Sequence, residues 1–143
     1  MEQYRTDFLL TLEQLTNFDV GDPEDPENAP TPMIQDILRS WKKPMCQLTD
    51  WEIGELVVQH DGFPYVLDLV WPKLESNPLF EGGHYPGDVL SLLIRAEPEI
   101  WVDRPKYKVW LGTLYQRALD RPLDENDMFR ETLDLPSLDA AVN

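Results

Sequence analysis

The chain has 143 residues, 42% of them hydrophobic, so it can bury a core and does not have the composition of a disordered protein. Its 27 Asp and Glu against 12 Lys and Arg give a net charge of −15, which disfavours direct binding to nucleic acid or membrane and favours a basic partner. Because Cys46 is the only cysteine, the chain cannot form an intramolecular disulfide. We expect Cys46 to pack as a small hydrophobic residue.

The first stretch, MEQYRTDFLLTLEQL, carries apolar residues at helical spacing. Tyr4, Phe8, Leu12 and Leu15 predict a first helix. The stretch has the pattern of neither a signal peptide nor a membrane span, so we expect a cytoplasmic protein.

Residues 18–32 hold four prolines and five acids but no base. Because Pro lacks an N–H and fixes φ, we predict an exposed, stiff acidic loop there.

Two helices with clear terminal signals follow this loop. Thr-Pro at 31–32 predicts the start of the second helix, and Lys-Lys-Pro at 42–44 predicts its end. A capping-box pattern over Thr49–Glu52 predicts the start of the third helix. We expect the third helix to stop at Gly62 in a left-handed conformation. We also expect His60 to be a packed residue on the apolar face of that helix.

The fourth helix is predicted to start near Pro64. Its apolar stripe consists of Phe63, Val66, Leu67, Val70 and Leu74. Pro72 lies inside the stripe and should kink or end the helix near Trp71, because it cannot donate a backbone hydrogen bond. After a loop, residues 89–94 are apolar almost all round, so we expect the fifth helix to be the most buried.

A long late helix is predicted by the stripe Tyr107, Trp110, Leu111, Leu114 and Ala118. The acidic tail from Pro122 predicts a short helix over 125–133 and frayed residues over 134–143. No long segment alternates with a period of two. We therefore predict an all-α fold, a compact single-domain bundle of about six helices that spans residues 1–143.

The segment NPLFEGGHYPGDVL, residues 77–90, is the candidate for catalytic chemistry. His84 lies between Glu81 and Asp88, and a carboxylate that holds an imidazole makes a general base for a small hydrolase or lyase. However, the chain has no G-x-S-x-G motif, and its two histidines, 24 residues apart, do not form an H-E-x-x-H signature. The simpler interpretation is structural: Gly82–Gly83 make a tight turn with positive φ, and Asp88 is the cap or a first-turn acid of the fifth helix. We therefore expect no catalytic residue and no metal site here.

The acids of the 18–32 loop have two interpretations. They belong to a solvated loop, or they form an arm that docks on a basic surface and loses little entropy because prolines stiffen it. The chain also offers Trp41 or Trp51 as an aromatic anchor for a partner, if either is exposed. The acids in question are Asp19, Asp22, Glu24, Asp25 and Glu27.

Several segments resemble the immunity proteins of bacterial contact-dependent growth inhibition (CDI). Members of that family carry Asn-Pro, then an acid and glycine, then Tyr-Pro-Gly-Asp and leucines, which is similar to NPLFEGGHYPGDVL. TLEQL resembles their opening helix, WKKPM their Lys-Pro-hydrophobic turn, and LTDWEIGELVVQHDG their helix with Gln-x-x-Gly. The likeness spans Thr11 to Arg95. It departs in the fourth helix, where we would expect Pro in place of Asp68, while Pro72 lies one turn later.

This resemblance implies a cytoplasmic protein, neither an enzyme nor cofactor-dependent, that binds the toxic C-terminal domain of a cell-surface effector and protects the producing cell. Such toxins are often nucleases, which tend to be basic, and an acidic protein can cover a phosphate-binding cleft. The loop acids and Trp41 or Trp51 would then contact the toxin, with the chain a monomer in a 1:1 complex. Two alternatives stay open: the His84 enzyme, and an acidic DNA mimic that acts as an adaptor.

Overall fold

The computed structural model describes residues 6–121. In this range the chain forms six α-helices and no β-strand, so the prediction of an all-α fold with about six helices is confirmed. The predicted tail helix over 125–133 and the predicted frayed end over 134–143 lie outside the described residues. The helices are α1 (Leu12–Thr16), α2 (Pro32–Trp41), α3 (Asp50–Val58), α4 (Tyr65–Ser76), α5 (Asp88–Ile94) and α6 (Pro105–Asp120), with short 3-10 helices at Met45–Gln47 and Pro98–Trp101.

The predicted caps of α2 and α3 are confirmed. The Thr31 hydroxyl accepts the backbone N–H of Ile34 at 3.1 Å. At the start of α3, the Thr49 hydroxyl accepts the N–H of Glu52, and the Glu52 carboxylate accepts the N–H of Thr49. Each side chain thus satisfies backbone N–H groups that have no partner within the helix.

The first helix is shorter than predicted, because backbone pairing takes over the residues before it. The C=O of Phe8 accepts the N–H of Cys46 at 2.9 Å, and the C=O of Leu10 accepts the N–H of Met45 at 3.0 Å. Thr11 then caps α1 with its own side chain. The same pairing holds Cys46 in a short 3-10 helix, where it is exposed. The prediction that Cys46 packs as a small hydrophobic residue is therefore wrong.

The fourth helix continues through Pro72 to Ser76, so of the kink or end predicted near Trp71, the end is wrong. Trp71 and Leu74 on either side of the proline are buried, whereas Pro72 itself is exposed. Burial of the last turn against the core offsets the lost hydrogen bond, which costs about 3 kcal/mol in a helix interior.

The third helix ends at Val58, before the predicted stop at Gly62. His60 follows the helix in a left-handed conformation with a φ of 50°, and Gly62 has the expected positive φ of 74°. The His60 ring is exposed and stacks on Phe63 with 6.0 Å between the ring centres. His60 is therefore a turn residue, and its predicted place on the packed face of α3 is wrong.

The core joins all six helices and fixes their order of packing. α2 packs on α3, α3 packs on both α4 and α5, and α6 packs on α4 and α5. As predicted, α5 is deeply buried, with all its residues except Leu92 inside. The Trp71 ring stacks on Tyr107 with 4.3 Å between ring centres, which joins α4 to α6.

Candidate partner-binding surface

The carboxylates of the 18–32 loop shape its backbone. Asp19, Asp22 and Asp25 each accept the N–H of the residue two positions ahead, at 2.8, 2.8 and 3.0 Å. The Asn28 amide donates to the C=O of Val20 and to the C=O of Asp22, both at 3.0 Å. The predicted exposed loop is therefore a set of hydrogen-bonded turns rather than an extended arm.

Two of the five loop acids are neutralised by cations of the protein itself. Glu24 Oε1 accepts hydrogen bonds from Arg39 Nε at 3.0 Å and Nη2 at 2.6 Å, which ties the loop to α2. Asp19 lies 3.6 Å from Lys42 Nζ. The N–H of Gly21 holds the pKa of Asp19 below its ordinary value, and Lys42 lowers it further.

The other three loop acids form an unpaired acidic face. Asp22, Asp25 and Glu27 are all exposed. None of them lies within 4.0 Å of a cationic group of the described chain. The loop therefore presents three uncompensated carboxylates to solvent.

The two candidate aromatic anchors differ in exposure. Trp41 is partly buried and packs edge-on against Phe18, with 6.4 Å between ring centres. Trp51, near the start of α3, is 46% exposed. Gly83 supports the Trp51 indole closely, since a Cβ on Gly83 would lie 2.4 Å from Trp51 Cδ1. The condition of exposure therefore favours Trp51 over Trp41 as an anchor.

A groove of about 220 Å³ lies beside Trp51, and we call it the Trp51 groove. Its walls include Met33 and Val58, which are 46% and 39% exposed. Trp51 and His84 were singled out from the sequence, as an anchor and as a catalytic candidate, but the groove that they share was not predicted. The signal was present in α3, where Trp51, Glu55 and Val58 recur at intervals of four and three residues on a face separate from the core stripe. The groove is lined by Met33, Trp51, Glu55, Val58, Gln59 and His84.

Glu55 is the charged group of this groove. Its Oε2 atom is buried and accepts no hydrogen bond from any residue between 6 and 121. Burial raises the pKa of Glu55, and the negative charges of Asp36 and Glu52 raise it further. Glu52 differs: burial alone would raise its pKa, but hydrogen bonds from Lys43 at 2.7 Å and from the N–H of Thr49 outweigh that effect and lower it.

The residues around His84 form a turn that is held by the Asp88 carboxylate. Asp88 is buried, and its carboxylate accepts the backbone N–H groups of Gly82, His84 and Val89 at 2.8, 3.1 and 2.7 Å. The hydrogen bond from His84 thus comes from its backbone and not from its imidazole. Asp88 is a first-turn acid of α5, while Glu81 and His84 are exposed. The position of Asp88 agrees with the structural interpretation of this loop, and Gly83 has the predicted positive φ, whereas the positive φ predicted for Gly82 is wrong.

Two further features bear on the kind of protein. In the part of the chain that the structure describes, no helix is long and apolar enough to cross a lipid bilayer. Within the same residues, no three or more His, Cys, Asp or Glu side chains are grouped so that they could hold a metal ion.

Comparison with known proteins gives the family. A search of curated proteins and a search of solved structures find no significant match. The family model described as CDI immunity proteins matches residues 11–111. The match includes the acidic loop and the Trp51 groove, and it extends past Arg95, where the resemblance in the sequence motifs ended. Since the match covers well over half of the 143 residues, the chain belongs to the family of CDI immunity proteins.

Proposed function

We propose that this immunity protein binds the C-terminal toxin domain of its cognate CDI effector in the cytoplasm and neutralises it by covering its working surface. The toxin domain is a basic protein, most simply a nuclease. The chain acts as a monomeric single domain in a 1:1 complex and is not an enzyme. The observation that carries the proposal is the unpaired acidic face of Asp22, Asp25 and Glu27 in a member of this family.

The acidic loop suits a binding role because its conformation is already set in the free chain. The turns at Asp19, Asp22 and Asp25 fix the backbone, and the Glu24–Arg39 ion pair holds the loop against α2. A preformed loop loses less conformational entropy on binding than a flexible one. We therefore assign Asp19 and Glu24 to positioning, and Asp22, Asp25 and Glu27 to direct contact with the toxin.

The charge of the molecule supports a cationic partner. Residues 6–94 contain 16 acids and only four bases, and every one of these bases already forms an ion pair within the protein. A field of this sign accelerates encounter with a basic protein. It also presents carboxylates where a nuclease would bind phosphates. Trp51 is the proposed aromatic anchor because it is the more exposed of the two candidates, and Trp41 supports the loop through Phe18.

The test is calorimetric titration of the chain with the toxin domain of the effector encoded beside it. A triple variant, Asp22→Asn, Asp25→Asn and Glu27→Gln, removes three charges but leaves acceptors for the turn hydrogen bonds. We expect it to bind about tenfold more weakly or worse. The matched control neutralises three exposed acids near α6, with Glu97→Gln, Glu99→Gln and Asp103→Asn, and should keep its affinity within about threefold.

The outcomes separate the proposal from its rivals. If the toxin domain does not bind the natural chain, the proposed function is wrong. If the chain binds unrelated basic proteins as tightly as it binds the toxin domain, the DNA-mimic adaptor is the better explanation. If His84→Ala abolishes protection of cells but keeps toxin binding, a catalytic role of His84 replaces simple occlusion.

A further inference from the structure

We propose that the Trp51 groove receives a single Lys or Arg side chain of the toxin domain, with its apolar stem against Trp51 and Val58 and its cation on the Glu55 carboxylate. This inference rests on the proposed function. It adds a second contact, distinct from the acidic loop, and states the chemistry of the toxin residue that fills it.

The walls of the groove fit an apolar stem. Trp51, Met33 and Val58 are all large apolar side chains that stay well exposed in the free chain. They come from α2 and α3, and His84 from the loop before α5 closes one side. The methylene groups of Lys and Arg lie well on such surfaces, and the face of a Trp ring also attracts the cation itself.

The charge in the groove has no counterpart in the protein. Glu55 Oε2 accepts no hydrogen bond from the described residues, and the nearby carboxylates Asp36 and Glu52 add to the negative potential. The cations of α2 and of the turn after it are engaged elsewhere: Lys43 binds Glu52 at 2.7 Å, and Arg39 binds Glu24 at 2.6 Å. A partly buried carboxylate whose Oε2 atom has no donor is unfavourable, so the groove is complementary to an incoming cation.

Charge also decides between the possible occupants. A second copy of this chain carries the same net charge of −15 and would be repelled. An apolar side chain would fill the walls but leave the Glu55 carboxylate buried and unpaired, which is costly. A Lys or Arg side chain packs its apolar stem against the walls and pairs its charge with the Glu55 carboxylate. A basic toxin domain offers such side chains.

Two variants test the groove against the toxin domain by calorimetry. Glu55→Gln keeps the shape and removes the charge, and we expect a loss of affinity of about tenfold or more. Val58→Lys introduces a cation one helical turn from Glu55, where it can bind that carboxylate and occupy the groove, so we expect a similar loss. The matched controls are Glu99→Gln and Val109→Lys, the latter at a valine of α6 that is 76% exposed, and both should bind like the natural chain.

The result has distinguishable failures. If the natural chain binds the toxin domain and Glu55→Gln binds equally well, the inference is wrong while the proposed function stands. If Val58→Lys weakens binding but Glu55→Gln does not, an apolar side chain fills the groove and the proposal of a cationic occupant is wrong. If sedimentation shows a dimer of the free chain that Val58→Lys dissociates, the occupant is a second copy. If the natural chain does not bind the toxin domain, the proposed function and this inference fail together.

Discussion

At the scale of single residues, Glu55 stands out because its carboxylate forms no hydrogen bond with the described part of the fold. Its carboxylate is partly buried, it has no hydrogen-bond donor among the described residues, and Asp36 and Glu52 repel it. Asp68 is also buried, yet it binds Arg104 through two hydrogen bonds and Tyr107 through one, all at 2.8 Å. A satisfied carboxylate such as Asp68 joins helices, whereas an unsatisfied one such as Glu55 adds no such contact and agrees with the proposed contact to a toxin cation.

We predict that Glu55→Gln stabilises the free chain at neutral pH. The pKa of Glu55 is raised in the folded state, so the folded chain binds a proton that the unfolded chain releases. Stability is therefore lost as the pH rises from the ordinary value of 4.5 towards the raised pKa, and stays lower above it. Gln carries no such charge. The free energy of unfolding of Glu55→Gln should therefore exceed that of the natural chain by the full amount at about pH 8, and the difference should shrink as the pH falls.

Urea unfolding at about pH 8 and about pH 5 measures this difference. The charges that act on Glu55 are those of Asp36 and Glu52. Of the other titratable groups nearby, Lys43 is paired with Glu52, and His84 lines the same groove. Glu99→Gln is the control and should change stability by less than about 0.5 kcal/mol at both values. A loss of stability in Glu55→Gln at pH 8 would show that the carboxylate forms a stabilising contact, and the interpretation of the groove would fail with it.

At the scale of elements, local signals in the sequence were enough for most helices. The caps at Thr31 and Thr49–Glu52 depend only on residues within one turn, so their pattern was visible. The end of α4 was not visible in the sequence, because the burial of Leu74 beyond Pro72 depends on contacts with residues distant in the chain. The start of α1 was also missed, since the residues before it pair with Met45 and Cys46.

The contact between α3 and the loop before α5 is another feature that only the structure reveals. Gly54 and Gly82 meet backbone to backbone, and a Cβ on Gly54 would lie 1.9 Å from the Gly82 C=O oxygen. This close approach holds the loop that carries His84 against α3, and His84 and Trp51 both line the Trp51 groove. In the sequence, Gly54 looked like an unremarkable residue inside a helical pattern.

We predict that Gly54→Ala destabilises the chain by about 3 kcal/mol, because the added methyl group cannot fit without displacing the loop. The control is Gly112→Ala in α6, where an added Cβ meets no atom within 4 Å. That change should raise stability by up to about 1 kcal/mol, since Ala is the better helix former. Urea unfolding of both variants measures the contrast. Equal effects of the two substitutions would mean that α3 and the loop are not in close contact.

At the scale of the whole molecule, sequence and structure contribute different parts of the candidate site. The acid excess and its concentration in the 18–32 loop could be read directly from the residues. Which acids stay unpaired could not, because Glu24 meets Arg39 and Asp19 meets Lys42 only after folding. The Trp51 groove likewise needs three elements to come together. The sign of the net charge thus follows from the sequence alone, whereas the fold determines which carboxylates stay unpaired.

The net charge of −15 predicts opposite effects of salt on the free chain and on its complex. Raising NaCl from about 50 to about 500 mM screens repulsion among the carboxylates, so the free energy of unfolding of the free chain should increase. The same screening should weaken the toxin complex, because the attraction between acidic face and basic toxin is lost. Urea unfolding and calorimetric titration at matched salt concentrations measure both quantities.

The triple variant with Asp22→Asn, Asp25→Asn and Glu27→Gln should show a smaller salt dependence of binding, since it retains fewer of the charges that salt screens. A complex that tightens with salt would place the binding energy in apolar contacts and contradict an electrostatic interface.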